Sequence, residues 1–539
     1  MDIKIEQISS LDKIFNGNKY TPVSKYTALG GERFSYQLMI EASVSRPATV
    51  TVNSPLAEYI KIYREREVFC DLPSYDRPDS FDEDYLTHAP AMIPDALEEL
   101  GCGGRVRIGN GACILWVRCD VPSGMKPGSY DISVTVSDDD GNEASAVMTA
   151  EILGINLPES DLKYTQWFHT DCISSFYNTE IYSERHWQLI DSFIAEAADC
   201  GINMILTPIH TPPLDTAVGG ERPNVQLVKI SEKNGKYSFD FSLFERWVGI
   251  CRSHGIKYFE MPPFFTQWGA KAAPNIYVNG EHKFGWDTDS CSEEYINFLR
   301  QYITAVADEL KTLGICDNTY FHISDEPDTR SIEIYEMCSG IIKSIDKNLK
   351  VIDALSEVDF YQKGLVKIPV PASNAIEPFL KEDIKERWVY YCCGQGCGVS
   401  NRFMAMSSYR NRIIGVQLYK FGISGFLHWG YNFYYSQFSE YKVNPYLTTS
   451  SDGAFPSGDP FSVYPGENGA IPSVRAFVFY EALQDAALLK LLESKKGREG
   501  VVKLIDETAG FDVRFSEYPK DEQYLFKLRE RIIDELREG

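Results

Sequence analysis

The stretch TYFHISDEPD, residues 319–328, joins an aromatic and apolar run to a polar end. The first half predicts a short buried strand, and His322, Asp325 and Glu326 follow at the point where that strand would end. Two neighbouring carboxylates repel each other, so a fold that keeps them together either leaves them in water or uses them. The pattern of the surrounding chain bears on which alternative holds.

The same arrangement recurs through the chain from about residue 160 onward, where short apolar runs alternate with amphipathic helical segments. The eight predicted strands are YTQWFHT (164–170), NMILTPI (203–209), KYFEMP (257–262), TYFHIS (319–324), KVIDAL (350–355), VPASNA (370–375), RWVYYC (387–392) and GFLHWGY (425–431). Strands that each precede a helix predict an α/β fold, a (β/α)8 TIM-like barrel. A doubly wound open sheet is the alternative, but no glycine-rich loop follows the first strand.

Alternation with a period of two dominates the first part of the chain. It appears in RFSYQLMIEAS (33–43), CILWVRCDV (113–121) and YDISVTVS (130–137), with Gly, Pro, Asn and Asp between the runs. This pattern predicts an N-terminal antiparallel β-sandwich of the immunoglobulin-like type, over residues 1–157. The acidic, proline-containing residues 72–100 are expected to form a long ordered loop.

The predicted domain order places the catalytic barrel after this sandwich, over residues 158–495. Residues 496–539 end in an amphipathic, charge-rich segment. We expect it to form a C-terminal helical extension that packs on the barrel.

The composition of the chain disfavours two classes of binding partner, nucleic acids and membrane surfaces. The 539 residues carry a formal net charge of −24, which disfavours binding to nucleic acid or to a membrane surface. The N-terminus lacks a signal-peptide pattern, and no apolar run is long enough to cross a membrane. Thirteen cysteines without regular spacing suit reduced thiols, so a cytoplasmic location is expected.

Polar and aromatic residues follow the predicted strands, where the catalytic residues of such barrels lie. Aromatic rings stack on the C–H faces of sugars, and carboxylates, amides and histidines bind sugar hydroxyls, so this mixture indicates a carbohydrate ligand. In strand order the residues are Trp167, His169 and Asp171; Thr207, His210 and Asp215; Glu260, Gln267 and Trp268; His322, Asp325 and Glu326; Asp353 and Glu357; Asn374 and Glu377; Tyr390 and Tyr391; His428, Trp429, Tyr431 and Asn432.

Each of these residues also has a purely structural interpretation. The tryptophans could fill the barrel interior, and each histidine could be a buried core residue. Asp325 and Glu326 could begin a helix, because carboxylates and Pro327 favour a first turn. No HxH or HExxH spacing supports a zinc site, so neither a metal nor a cofactor is expected.

Several segments resemble the catalytic domain of glycoside hydrolase family 123 and of related bacterial proteins. They include NMILTPIHTPPLDT (203–216), FTQWGAKAAP (265–274), HISDEP (322–327) and YRNRIIGVQLYKFGISGFLHWGYNFYYS (409–436), and the resemblance extends from about residue 160 to 490. Characterised members are β-N-acetylgalactosaminidases in which the substrate's own 2-acetamido group is the nucleophile. The resemblance implies a retaining exo-β-N-acetylgalactosaminidase acting on a carbohydrate with a terminal amino sugar.

The resemblance also implies roles for individual residues. Glu326 becomes the general acid and base, and Asp325 orients the acetamido group and stabilises the oxazolinium intermediate. Repulsion from Asp325 is expected to keep Glu326 protonated near neutral pH, with coupled titration of the pair. Tyr391, Tyr431 or Tyr434 could bind the acetamido carbonyl. The residues expected to bind substrate are His169, Trp268, Trp286, His322, Tyr391, Trp429, Tyr431 and Asn432.

Three alternative functions stay open at this point. One is a glycosidase of different sugar specificity whose nucleophile is its own carboxylate, such as Glu260, Asp353 or Glu357. Another is a non-catalytic carbohydrate-binding protein built on the same barrel. The last is a metal-dependent hydrolase. The sequence does not decide the oligomeric state.

Overall fold

The computed structural model describes residues 3–15, 17–77, 82–101, 103–267 and 269–537. Contacts group the chain into two compact units. The first contains Met1–Ser160, Ser400–Lys420 and Ile471–Gly539, and the second contains Asp161–Val399 and Phe421–Ala470. The domain boundaries at residues 157 and 495 stay a prediction.

The N-terminal region is built from ten strands in two five-stranded sheets. Their bounds are β1 Ile3–Ser9, β2 Lys25–Gly30, β3 Arg33–Ala42, β4 Arg46–Asn53, β5 Ile60–Cys70, β6 Ala91–Glu99, β7 Arg105–Ile108, β8 Cys113–Asp120, β9 Gly128–Asp138 and β10 Glu143–Asn156. The strand orders are β1-β3-β8-β5-β6 and β2-β10-β9-β4-β7. Inward-facing residues of both sheets share one apolar core, as the alternating pattern predicts.

Two features of this region differ from the sequence prediction. Strands β2 and β10 pair in parallel, whereas the other paired strands of the two sheets are antiparallel. Residues 91–99, expected to lie within a long loop, form β6 and pair with β5. The proline in β6 lies where the register between β5 and β6 shifts, and prolines inside sheets are found at edges or bulges.

Short strands dominate the rest of the chain. They are β11 Lys163–Gln166, β12 Met204–Leu206, β13 Lys229–Lys233, β14 Lys236–Asp240, β15 Tyr258–Glu260, β16 Ile276–Val278, β17 Glu281–Phe284, β18 Thr319–Tyr320, β19 Ile352–Ala354, β20 Ile368–Val370, β21 Trp388–Tyr390, β22 Gly425–His428, β23 Val463–Pro465 and β24 Ala470–Pro472. The six-stranded sheet has the order β18-β15-β12-β11-β22-β21 and is parallel throughout, and β19 and β20 form a separate parallel pair.

The eight parallel strands, β11, β12, β15, β18, β19, β20, β21 and β22, match the eight that the sequence predicts. The sixth of them, β20, lies earlier than predicted, and residues 373–375 form a 3-10 turn instead. Isolated parallel bridges join Phe321 to Val351 and Ala372 to Tyr390. The molecule therefore contains a parallel half-barrel sheet, and closure into a full (β/α)8 barrel stays a prediction. The carboxyl ends of the parallel strands lie together at one edge of the sheet.

The described part of the chain contains eleven α-helices. Serine side chains cap α2 and α4 by accepting a backbone N–H, which satisfies one of the free donors of the first turn. The bounds are α1 Thr170–Tyr177, α2 Glu184–Asp199, α3 Ser242–Ser253, α4 Glu293–Thr312, α5 Ile332–Ile345, α6 Asp359–Gln362, α7 Glu377–Leu380, α8 Ser408–Arg412, α9 Ile414–Lys420, α10 Val474–Ala509 and α11 Glu522–Arg537.

The long helix α10 lies within the first compact unit. It contacts α8, α9, α11 and β6, and Arg475 at its start forms a buried ion pair with Asp95 of β6 at 2.9 Å. Within the described residues no helix has the length and apolar character required to cross a membrane. The cysteines that the structure describes form no disulfide with one another, and the cytoplasmic location stays a prediction.

Candidate active site

A cavity of about 160 Å³ lies at the carboxyl ends of the parallel strands. Aromatic rings form much of its wall, and acidic side chains occupy one part of it. The described lining residues are Trp167, His169, Leu214, Asp215, Gln267, Asp325, Glu326, Ala354, Tyr390, Cys392, Cys393, Leu427, Trp429, Gln437, Phe438 and Phe455. This combination suits a ligand that has both apolar faces and hydroxyl groups.

Asp325 and Glu326 both face this cavity from the segment that follows β18. Asp325 is half-buried, whereas Glu326 is exposed. The hydroxyl of Tyr390 donates a hydrogen bond of 2.8 Å to Glu326 Oε1. The two neighbouring acids therefore share one cavity, and a phenol at the end of β21 orients one of them.

Three residues of the cavity wall have a strained backbone. Asp215, Glu326 and Phe438 have φ angles of 41°, 43° and 58°, in the left-handed region that favours glycine. Each such residue costs about 1–3 kcal/mol, and such strain clusters at functional sites. The surrounding fold therefore maintains these three conformations against an intrinsic preference.

The acidic pair does not begin a helix, which removes that alternative interpretation. Residues 321–328 contain no helical segment. The next helical turn, Thr329–Ser331, is capped instead by Asp328, whose side chain accepts the backbone N–H of Arg330. Asp325 and Glu326 are consequently available to the cavity.

The surroundings of Asp325 favour its protonated form. Burial raises the pKa of Asp325 well above its usual value, and the adjacent Glu326 carboxylate raises it further, whereas the nearby His322 opposes both effects. Coupled titration of Asp325 with Glu326 stays a prediction.

His322 lies beneath the cavity rather than in its wall. Its ring is 1 % exposed, with Nε2 2.6 Å from Glu260 Oε1 and Nδ1 3.1 Å from Asp353 Oδ1. Burial alone would lower the pKa of His322, but the hydrogen bonds and charges of both carboxylates raise it to about 10. The predicted direct contact of His322 with substrate has no counterpart in this geometry.

His169 lies in the cavity wall, where it is hydrogen-bonded on both ring nitrogens. Nε2 donates to the carbonyl of Trp429 at 2.9 Å, and Nδ1 accepts from Arg222 at 3.1 Å. Burial and the guanidinium of Arg222 lower the pKa of His169 well below its usual value. Arg222 also forms a buried, bidentate ion pair with Asp171 at 2.8 Å. His169 is therefore a neutral ring that presents carbon atoms to the cavity.

Asp215 is a third carboxylate in the wall. Its backbone N–H donates to Gln267 Oε1 at 2.7 Å, and its Oδ2 accepts from the N–H of Phe438 at 3.1 Å. Burial raises the pKa of Asp215 to about 6, although Arg222 partly offsets this. The sequence placed Asp215 at a strand end and within the segment NMILTPIHTPPLDT (203–216), but Asp215 was not among the residues selected for the site.

Besides His322, four of the predicted binding residues do not line this cavity. Tyr391 packs edge-on against Phe426, and the hydroxyl of Tyr431 donates to the carbonyl of Phe193. Asn432 holds the backbone of His169, accepting its N–H at 2.8 Å and donating to its carbonyl at 3.1 Å. Half-buried Trp286 donates to the carbonyl of Gly220. Trp268 lies outside the described residues.

Of the predicted binding residues, Trp429 and His169 reach the cavity. The indole N–H of Trp429 donates to Asp459 Oδ2 at 2.8 Å, which leaves the ring face as its contribution to the wall. Trp167 is fixed in the same way by a 2.7 Å hydrogen bond to Glu260 Oε1. The two indoles are thus held in place by acceptors outside the ligand space.

The carboxylates proposed as alternative nucleophiles are not in the cavity wall. Glu260 and Asp353 are fully buried, and both are hydrogen-bonded to His322. Glu357 also does not line the cavity. Among the residues with described coordinates, no group of three or more His, Cys, Asp or Glu side chains is arranged to hold a metal ion.

Comparisons with known proteins show the family and the fold of the chain. The family model described as Glycoside hydrolase 123, catalytic domain, matches residues 167–492. The solved structure of a family 123 glycoside hydrolase from Clostridium perfringens, described in connection with glycolipid glycan hydrolysis, is similar over 99% of this chain and 98% of that chain, with a TM-score of 0.75 and 16% identity. A comparison with curated proteins finds no match.

Another similar structure is a family 5 mannosidase from Rhizomucor miehei, with 13% identity and a TM-score of 0.31 over 63% of this chain and 94% of that chain. That similarity is too low to support an argument. The family model covers more than half of the 539 residues. The chain therefore belongs to glycoside hydrolase family 123 and is a glycoside hydrolase.

Proposed function

We propose that this protein is a retaining exo-β-N-acetylgalactosaminidase in which the substrate's 2-acetamido group is the nucleophile. The observation that carries the proposal is that Asp325 and Glu326, neighbours in sequence, face one aromatic-walled cavity together. A retaining enzyme with its own nucleophile requires two carboxyl groups about 5–5.5 Å apart on either side of the scissile bond. An adjacent pair suits a nucleophile that the sugar already carries.

In the first step Glu326 donates its proton to the glycosidic oxygen as the bond from that oxygen to the anomeric carbon breaks. The acetamido carbonyl oxygen forms the new bond to the anomeric carbon from the opposite face. Asp325, ionised, accepts a hydrogen bond from the acetamido N–H and balances the positive charge of the oxazolinium. Well-oriented intramolecular attack can remove about 7–11 kcal/mol from the barrier.

In the second step the Glu326 carboxylate takes a proton from water, and the water oxygen bonds to the anomeric carbon while the oxazolinium ring opens. Two displacements at one carbon return the original β configuration. Tyr390 supports both steps, since its 2.8 Å hydrogen bond keeps the Glu326 carboxyl in one orientation. The general acid and base should contribute about 10²–10⁴-fold to the rate.

The size and lining of the cavity support a single terminal sugar as the part that enters. Its volume of about 160 Å³ is below the roughly 300–1,000 Å³ of sites for drug-sized ligands. Trp167, Trp429 and Phe455 offer rings for stacking on the sugar. We take the substrate class to be glycans with a terminal β-linked N-acetylgalactosamine, including those derived from glycolipids.

We also infer that the eight parallel strands close into a (β/α)8 barrel around this site. The isolated parallel bridges at Phe321–Val351 and Ala372–Tyr390 lie where β18 would meet β19 and where β20 would meet β21. A closed barrel would gather all eight strand ends around one cavity.

A pair of chromogenic substrates tests the proposal. The 4-nitrophenyl β-N-acetylgalactosaminide should be hydrolysed and a thiazoline analogue of the oxazoline should inhibit, while the 4-nitrophenyl β-galactoside should not react. Glu326→Gln should lower kcat/KM by about 10²–10⁴-fold. The matched control Glu357→Gln removes a carboxylate outside the cavity wall and should retain activity. Equal hydrolysis of the plain galactoside would overturn the proposal.

A second mechanism deserves a test because Asp215 also lines the cavity. If Asp215 were the nucleophile, a 2-deoxy-2-fluorogalactosyl donor should accumulate as a covalent adduct on it, and Asp215→Asn should prevent this labelling. A non-catalytic binding protein would instead turn over none of the glycosides, and Glu326→Gln would bind the sugar as tightly as the wild type does.

A further inference from the structure

His322 is hydrogen-bonded to two carboxylates from opposite sides. Nε2 lies 2.6 Å from Glu260 and Nδ1 lies 3.1 Å from Asp353. Each of the three side chains is at most 2 % exposed, so bulk water and salt do not screen them. The protonation of His322 therefore depends on which of these groups can donate.

Glu260 accepts hydrogen bonds at both carboxylate oxygens. Oε1 accepts the indole N–H of Trp167 at 2.7 Å, and Oε2 accepts the hydroxyl of Thr165 at 2.7 Å. An indole N–H can only donate. The oxygen that binds Trp167 is also the oxygen that faces His322, and a carboxylate has no hydrogen to donate, so the 2.6 Å contact is made by a hydrogen on His322 Nε2.

Asp353 is fixed as an acceptor in the same way. The backbone N–H of Ile323 donates to both of its oxygens, at 3.0 and 3.3 Å, and the hydroxyl of Tyr335 bonds to Oδ2. The Asp353 carboxylate likewise has no hydrogen to donate, so its oxygen that faces His322 Nδ1 accepts. Both ring nitrogens of His322 therefore donate, which defines an imidazolium.

This cation lies close to the proposed catalytic pair. His322 is three residues before Asp325, and Asp353 holds the intervening backbone through the N–H of Ile323. The charged groups that act on Asp325 are Glu326, Asp353 and Asp215, which favour its protonation, and His322, which opposes it. His322 is thus the positive charge among these groups.

We propose that His322 is a positioning residue for the reaction: as a permanent imidazolium between Glu260 and Asp353, it counteracts the burial and the neighbouring carboxylates that favour protonation of Asp325, and it fixes the backbone turn that presents the acidic pair. It acts through Asp325 and does not contact the sugar. The activity part of this inference rests on the proposed function, because an ionised Asp325 is what orients the acetamido group.

The main test compares His322→Gln with His210→Gln. His210 is also fully buried, but it is held by one hydrogen bond, to the carbonyl of Pro263 at 2.9 Å, and burial lowers its pKa to about 4. In His322→Gln, Asp325 should keep its proton to higher pH, so the acidic limb of kcat/KM should move upward by about one pH unit or more. His210→Gln should lower Tm without moving that limb.

Two further measurements keep the inference testable if His322→Gln folds poorly. Asp353→Asn removes a negative charge that favours protonation of Asp325, so its acidic limb should move to lower pH, opposite to the shift in His322→Gln. Nitrogen-15 NMR of the wild-type protein at pH 8 should find both His322 nitrogens protonated. This readout does not depend on activity, so it separates failure of the inference from failure of the proposed function.

The inference is overturned if His322 has a single protonated nitrogen at pH 8. It is also overturned if the acidic limbs of His322→Gln and His210→Gln coincide with that of the wild type, or if Asp353→Asn moves the limb upward.

Discussion

Two short segments of this chain look almost alike and behave in opposite ways. Phe168-His169 follows β11 and Phe321-His322 follows β18, and both histidines are buried, at 2 % and 1 % exposure. His322 lies between two carboxylates and is a cation, with its pKa raised to about 10. His169 lies against a guanidinium, and its pKa is lowered well below the usual value.

The comparison teaches that the charge of a buried histidine is set by residues distant in sequence. For His322 these are Glu260 and Asp353, whereas for His169 burial lowers the pKa most and Arg222 lowers it further. The two clusters also differ in balance. The His322 cluster has two acids for one cation, whereas Asp171 and Arg222 neutralise each other beside a neutral His169.

The largest loss of stability is expected when Arg222 is removed from its ion pair with Asp171. Arg222→Met leaves Asp171 buried without its partner, which should cost about 3–5 kcal/mol of unfolding free energy. The matched control Arg330→Met removes a surface arginine, 90 % exposed, from its pair with Asp328 and should cost less than about 1 kcal/mol. Urea unfolding measures both. Equal losses would mean that the Asp171–Arg222 pair is not the buried charge pair described here.

Asp215→Asn should stabilise the protein at neutral pH. The pKa of Asp215 is about 6 in the folded chain, above the value of about 3.9 for an unfolded aspartate. Ionisation therefore destabilises the fold increasingly as the pH rises from 4 to 7, by about 1–3 kcal/mol in total. The amide cannot ionise, and its oxygen still accepts the N–H of Phe438. The Tm difference between variant and wild type should be small at pH 4 and clearly positive at pH 7, and a negative difference at pH 7 contradicts the assignment.

The variant His169→Gln compares the two histidines through the pH dependence of activity. A glutamine amide can still donate to the Trp429 carbonyl and accept from Arg222, so the stability loss should be about 1 kcal/mol. Because His169 is neutral, the acidic limb of the pH profile should not move, in contrast to the shift expected for His322→Gln. A comparable shift in both variants would mean that His169 is charged.

Glu260→Gln should have the smallest effect, with a change of less than about 1 kcal/mol in the free energy of unfolding. The amide oxygen still accepts from Trp167 and His322, and Asp353 still supplies one negative charge for the imidazolium. Urea unfolding of Glu260→Gln and of Arg222→Met compares the two losses of unfolding free energy. A loss of the size expected for Arg222→Met would show that the His322 cluster needs both acids.

Much of the fold follows from periodicity. Alternation marks the strands of the N-terminal sheets, and aromatic runs between amphipathic helices mark the parallel strands. The parallel pairing of β2 with β10 was not predictable, because it joins segments more than a hundred residues apart and depends on how the sheets pack. Strand β6 was missed because an acidic, proline-containing sequence disfavours strands locally.

The sequence predicts those residues of the candidate site that lie there because they follow the end of a strand. The rule that chemistry lies at strand ends selects Asp325, Glu326, His169 and Trp429, all of which reach the cavity. It does not distinguish a residue that faces the ligand from one that supports a neighbour, as Asn432 does for His169. Tyr390 is among the strand-end residues, but Tyr391 was chosen over it as the residue expected to bind substrate, although successive side chains of a strand face opposite sides.

The central claim is that the acetamido oxygen of the substrate attacks the anomeric carbon. The most direct measurement uses 4-nitrophenyl β-N-acetylgalactosaminides whose acetyl group carries zero, one, two or three fluorine atoms. Fluorine withdraws electrons from the carbonyl oxygen, so log kcat/KM should fall steeply with each added fluorine while the leaving group stays constant. If kcat/KM is the same for all four substrates, the acetamido group is not the nucleophile, and the role assigned to Asp325 and Glu326 is contradicted.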